Sequence, residues 1–148
     1  MNIIFQIDGG IGKCLASTAV VRAIRNKYPE DTLIVVTGWP DVFINNPRVN
    51  RVVHFGSLGG FYDDHVKGQE VLFLKAEPYQ HSEYIAQTKH LIECWTEQLG
   101  LDFDGLTPEF YPFASEEDQV LSFVAQAPKP LLVFQPFGGP VGSTPDDA

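Results

Sequence analysis

Basic residues are scarce in this chain. Ten lysines and arginines stand against nineteen acids, giving a formal net charge of -9. So acidic a chain is a poor general binder of nucleic acid or of anionic lipid, because its long-range field repels both. Cysteine is almost absent: Cys14 and Cys94 are too few for a disulfide framework and too far apart for a metal-ligand spacing, so both are expected as reduced thiols on helices. Long hydrophobic runs are missing too. Leu33-Ile34-Val35-Val36 and Val71-Leu72-Phe73-Leu74 fall far short of the ~20 residues a membrane span needs. Met1 to Phe5 carries no basic leader and runs straight into an apolar strand, so no signal peptide is expected and the reading is cytoplasmic. What remains is ordinary for a globular fold: 44% hydrophobic and 20% charged residues over 148 positions, room for one domain with a real core but not two.

Strand and helix patterns alternate. Asn2 to Ile7 is a continuous apolar strand, broken by Asp8-Gly9-Gly10-Ile11-Gly12. A helix from Lys13 to Lys27 places Ser17, Val20, Val21, Ile24 and Tyr28 on one packing face, and Pro29 ends it. Further strands are expected at Thr32–Thr37, Arg51–Phe55 and Glu70–Lys75. A helical turn is expected near Asp41–Ile44, and a long polar loop containing a helical turn over Gly56–Gly68. The longest helix is predicted from Ser82, as N-cap, to Leu99, with Gly100 as its stop. After a short extended piece at Glu109–Phe113, Ser115-Glu116-Glu117-Asp118 opens another helix, with serine as cap and acids at the positive end of the dipole. Leu131–Gln135 is a last strand. This alternation predicts an α/β fold, Rossmann-like and doubly wound around a mostly parallel sheet.

One pattern occurs twice. Ile3-Ile4-Phe5-Gln6 precedes Gly9-Gly10, and Leu132-Val133-Phe134-Gln135 precedes Gly138-Gly139 at the same spacing. Either the two are unrelated buried strands with glycine turns, or a second unit of the same kind starts near Pro130. The second reading divides the chain into a domain over 1–129 and the start of a truncated one over 130–148.

The chemistry-bearing candidates gather at the first glycine turn. Backbone amides of Gly9, Gly10 and Gly12, together with the helix N-terminus, suit an anion. Lys13 puts a positive charge where the helix dipole disfavours one, a conflict that a bound anion would relieve. The turn is not a P-loop, since Ile7 and Cys14 stand where that motif needs glycine and a hydroxyl residue. It is not a dinucleotide fingerprint either: Leu15 replaces the third glycine, and no acid closes the second strand. A bare tight turn remains the plain alternative. Ser17 either faces the cleft or packs. Trp39 and Asp41 follow the second strand, at the edge where open α/β sheets hold ligands. Tyr62, Asp63, Asp64 and His65 form a polar loop cluster, and His81 and His90 are read as surface residues.

With these residues in view, the chain resembles glycosyltransferase family 9, the ADP-heptose:lipopolysaccharide heptosyltransferases. The resemblance rests on Gly10-Ile11-Gly12-x-x-Leu15, Thr18 to Ile24, Tyr28-Pro29, Leu33 to Thr37 and Asn46-Pro47-Arg48-Val49-Asn50-Arg51-Val52. It is densest from Met1 to Phe55. It implies the N-terminal, acceptor-side half of a GT-B fold and an inverting sugar transfer without a metal or cofactor. The partners implied are a nucleotide-sugar donor, as co-substrate, and a glycan or lipopolysaccharide-type acceptor. A C-terminal lobe, begun at Leu131 to Gly139, would bind the donor, and the fragment alone would be inactive. The family commonly carries an acid after Gly-x-Gly, as the base; here that position is Lys13. Lys13 is then a phosphate ligand, or a base only if desolvated, and Asp8 is the substitute base or an ordinary turn residue. The alternative to a transferase is a non-catalytic α/β module holding a phosphorylated ligand at Gly9–Lys13.

Overall fold

The computed structural model describes residues 1–134. The chain falls into two compact units, Met1–Phe110 and Tyr111–Ala148. The second part of the expected division, 130–148, lies mostly outside the described residues.

The first unit is built on a parallel sheet of four strands: β1 (Asn2–Ile7), β2 (Thr32–Thr37), β3 (Arg51–His54) and β4 (Val71–Leu74), in the order β3-β2-β1-β4. β1 sits centrally, pairing with β2 from Asn2↔Thr32 to Ile7↔Thr37 and with β4 from Asn2↔Val71 to Phe5↔Leu74. The β-branched run of β2 and the Ile-rich β1 favour this pleated, doubly buried setting. α1 (Ile11–Lys27) follows the glycine turn, two residues earlier than expected. Its predicted face is correct: Ser17, Val20, Val21 and Ile24 are fully buried. They pack with Ile3, Phe5, Ile7, Leu33 and Val35 on one face of the sheet, while Ile4, Ile34 and Val36 are buried on the other.

The last turn of α1 is fastened by Arg25. Its guanidinium donates to the carbonyls of Arg48 (2.7 Å), Asp31 (2.7 Å) and Pro29 (3.1 Å) and to Asn50 Oδ1 (2.7 Å). Asn50 in turn accepts from Leu33 N–H at 2.8 Å, and its own N–H donates to the Leu33 carbonyl. One turn earlier, Arg22 holds the strap after Leu101. It donates to Asp104 at 2.7 Å and to the Thr107 carbonyl at 3.0 Å, and pairs with Glu109.

Short elements connect β3 to β4: a 3-10 turn at Phe55–Ser57 and a short α2 (Phe61–His65) within the segment expected as loop. The predicted long helix over Ser82–Leu99 is two pieces, α3 (Ser82–Ile85) and α4 (Leu91–Gln98). Gln87 adopts a left-handed conformation, φ 57°, between them, and Thr88 N–H reaches back to the Glu83 carbonyl, closing the first piece. Ser82 is not the N-cap. His81 accepts from Glu83 N–H, and His90 accepts from Ile92 N–H at 3.2 Å, so each histidine caps one piece. Gly100, at φ 64°, ends α4 as expected, and Leu101 N–H returns to the Thr96 carbonyl at 2.8 Å. α4 inserts Trp95, fully buried, edge-on against Phe5 at 6.0 Å between centroids.

The second unit carries α5 (Ala114–Gln126). Ser115 lies inside it rather than capping it; the carboxylate of Glu116 accepts from Phe113 N–H at 2.9 Å and supplies the cap. Among the described residues, neither Glu109–Phe113 nor Leu131–Phe134 is a strand. Leu132, Val133 and Phe134 are well exposed, and no strand among the described residues pairs with them. Gln135, Gly138 and Gly139 lie outside the described residues.

Candidate functional site

The strand order turns at β1. β2 leads away on one side and β4 returns on the other, so the carboxyl ends of β1 and β4 flank a topological switch point, where open α/β sheets receive ligands. The glycine turn occupies one side of it. Gly9 has φ 96°, which only glycine adopts without strain, and a Cβ there would approach Lys13 Cδ at 3.2 Å. Gly10 and Gly12 face open space, and the first turn of α1 carries neither a side-chain cap nor an acid. Among the described residues the amides of Ile11 and Gly12 have no acceptor and can receive one, whereas Lys13 N–H already donates to the Gly10 carbonyl at 3.1 Å.

Lys13 resolves its conflict with the helix dipole internally. Its side chain is 8% exposed, and Nζ lies 2.6 Å from Glu77 Oε2 and 5.6 Å from the rings of Tyr79 and Trp95. Glu77, just past β4, was not singled out from sequence. Its signal was its position, an acid beyond the carboxyl end of an apolar strand. Glu77 also accepts from Tyr79 N–H, which opens a 3-10 turn at Pro78–Gln80.

Asp8 is tied the same way. Lys75 Nζ lies 2.8 Å from its Oδ2, and Gln6 donates to its Oδ1 at 3.0 Å. Burial alone would raise the Asp8 carboxyl, but Lys75 and the Gln6 amide outweigh it and hold it below the usual aspartate value. An Asp8 so held is ionised at neutral pH and is a weaker proton acceptor than a free aspartate.

Trp39 is brought to the turn, its indole N–H donating to the Gly9 carbonyl at 3.1 Å. Asp41 sits exposed in the neighbouring 3-10 turn Pro40–Val42. Ser17 is not at the surface: fully buried, it donates to the Cys14 carbonyl at 2.7 Å and packs in the core, out of reach of a ligand at the turn. Cys14 is buried against Thr37, and burial raises its thiol, as it does that of Cys94.

The Tyr62–His65 cluster does not converge. Asp63 pairs with Lys67, and His65 contacts Arg51 across the connection. A tighter grouping is His81, Glu83 and Glu97, whose ligand atoms lie within 4.8 Å of one another. The Lys89 ammonium bonds both carboxylates there, at 2.7 and 2.8 Å, and so already supplies the cation.

Beside the turn lies a groove of about 780 Å³, bordered by Gly12, Tyr79, Tyr84, Gln87, Lys89 and His90. No described helix is long and apolar enough to cross a membrane.

No protein-family profile and no curated protein matches the sequence. Among solved structures, the fold is similar to that of a glycosyl transferase family 9 structure from Veillonella parvula, with a TM-score of 0.58 at 15% identity. The match covers 84% of this chain and 49% of that one, so the chain spans about half the length of the structure it resembles. The α/β architecture expected from sequence, and its likeness to this family, are thus seen in the fold itself.

Proposed function

We propose that the chain is the acceptor-side lobe of an inverting, GT-B-type glycosyltransferase that moves a sugar from a nucleotide-sugar to a glycan or lipopolysaccharide-type acceptor. The observation that carries this reading is the switch-point crevice, set in a fold that matches about half of a family 9 transferase. In such a reaction the acceptor hydroxyl attacks the anomeric carbon. The bond to the nucleoside diphosphate breaks on the opposite face, and a carboxylate takes the hydroxyl proton. Asp8 and Glu77 are the carboxylates at this edge, each resting on a lysine that it must release, or share, to serve as base. Lys13 then acts through its charge, on Glu77 or on a phosphate. The leading amides of α1, at Gly10–Gly12, suit an anionic group of either substrate. Donor binding falls to a second lobe, and a cytoplasmic location follows from the intracellular supply of nucleotide-sugars.

The test is release of nucleoside diphosphate from a panel of nucleotide-sugars by the full-length protein, with Asp8→Asn and Glu77→Gln as variants. Loss of the true base lowers kcat by about 10²–10⁴-fold. Undiminished turnover in both variants overturns the assignment, and no release from any donor overturns the transferase reading.

The pairing of both carboxylates with lysines favours one alternative, a non-catalytic module in which the turn holds a phosphorylated ligand. Phosphate-dependent stabilisation without donor turnover would select it.

A further inference from the structure

All four histidines of the chain stand where a ring nitrogen meets an N–H donor. Nδ1 of His54 accepts from Gly56 N–H at 2.9 Å, Nδ1 of His81 from Glu83 N–H at 3.3 Å, and Nδ1 of His90 from Ile92 N–H at 3.2 Å. His65 Nε2 lies 2.9 Å from Arg51 Nη1, which can only donate. Each ring is therefore neutral in this arrangement, because a protonated imidazole has no acceptor left. Histidine lies outside the usual set of capping residues, Ser, Thr, Asp and Asn, and it is the cap that a proton removes between about pH 5 and 8.

His81 differs from the other three in what surrounds it. A nitrogen of its ring lies within 4.8 Å of carboxylate oxygens of Glu83, on α3, and Glu97, on α4, the one such grouping among the described residues. The Lys89 ammonium, from the connection between the two helices, bonds both carboxylates, and those bonds raise its pKa and keep it charged. The bond from Lys89 also holds Glu97 below the usual glutamate value, so it is ionised wherever an imidazole titrates. The Pro78–Gln80 turn packed beside α3 adds Tyr79, whose phenol is raised by burial and stays neutral. Two carboxylates against one ammonium leave a single negative charge beside the His81 ring.

A proton on that ring removes the acceptor for the Glu83 amide and puts a positive charge at a helix N-terminus, which the helix dipole disfavours. It also gives the ring two N–H donors, with carboxylates in reach. α3 spans only Ser82–Ile85, and its Tyr84 and Ile85 border the groove, so the start of this helix sets one wall of it. The Thr88 N–H bond to the Glu83 carbonyl, at 2.9 Å, and that of Ala86 N–H to the Ser82 carbonyl do not depend on the ring, so the change stays local.

We infer that His81 is a proton-operated latch on α3: the neutral ring caps the helix through Nδ1, and the protonated ring releases the Glu83 amide and turns its N–H groups to the Glu83 and Glu97 carboxylates. The groove wall formed by Tyr84 and Ile85 is firm in the first state and loose in the second. The latch needs no ligand and stands apart from the transferase reading.

NMR of the full chain between pH 5 and 8 tests it. At pH 8 the imidazole nitrogen shifts show His81 bare at Nδ1 and protonated at Nε2. As pH falls both nitrogens become protonated. Along the same curve the Glu83 amide loses about fivefold in protection, after correction for intrinsic exchange, and the Tyr79–Tyr84 ring contact at 5.4 Å weakens. His81→Asn supplies a cap that no proton removes, so α3 stays formed and the Glu83 response to pH disappears. His90→Asn leaves that response in place. A Glu83 amide that ignores the His81 titration overturns the inference, as does a response that survives His81→Asn, or a neutral ring whose proton sits on Nδ1. If His81→Asn disrupts α3, the wild-type titration decides alone, since it needs no variant.

Discussion

The two sides of β1 are built differently. Toward β2 the chain uses long elements with continuous apolar faces: α1 spans 17 residues, and β1 and β2 are paired over their full length. Toward β4 it uses short pieces, the 3-10 turn at Pro78–Gln80, α3 and α4, with side chains capping and pairing across them. The first side gains its stability from burial. The second gives up regular backbone and acquires a groove and a carboxylate–lysine pair at the switch point.

Trp95 is where the irregular side is anchored to the regular one, and removing it is the most severe way to break the contrast. Trp95→Ala costs about 3–5 kcal/mol in chemical denaturation, from the cavity against Phe5. If the loss is under about 1 kcal/mol, the β4 side does not depend on that core. Next comes the Lys13–Glu77 pair, whose members are unequally buried, 8% against 41% exposed. Glu77→Ala strands a buried ammonium, whereas Lys13→Met leaves a carboxylate that water can reach. Glu77→Ala is therefore the more costly, by about 1–2 kcal/mol after allowance for the exposed partner. Equal losses would place the pair outside the core.

Gln87→Gly sharpens the comparison from the other direction. Relief of the left-handed residue raises stability by about 1 kcal/mol, read as a higher melting temperature. Smallest is the acid response. The folded Asp8 carboxyl lies below its unfolded value near 3.8, so its pairing with Lys75 stabilises above that pH and fades as pH falls through the lower folded value. Asp8→Asn flattens the stability curve only in that acid window. A change at neutral pH in its slope would contradict the assignment.

The same contrast governs how much was legible from sequence. β1 and β2 were read to the residue because uninterrupted apolar runs ending in Gly or Asp leave little choice. The break in the predicted 82–99 helix was not legible. Tyr84, Leu91, Ile92 and Trp95 keep a helical period across it, and glutamine is a good helix former, so nothing local announces Gln87's conformation. At the site, the glycine turn was visible and Trp39 was found beside it. Lys13 was legible only as a misplaced charge, because its partner lies 64 residues further on. Ser17 was ambiguous for a simple reason: a hydroxyl bonded to the preceding turn packs as readily as an alanine.

Arg25 has a consequence for motion. One planar group gathers carbonyls from both the α1–β2 and the β2–β3 connections, while Asn50 bolts the second to Leu33. Opening either connection strips the shared Arg25 fork of part of its acceptors, so the two openings are coupled. Amide exchange across them should proceed as a single cooperative event. Lysine at position 25, with one point charge and no fork, would let them open independently.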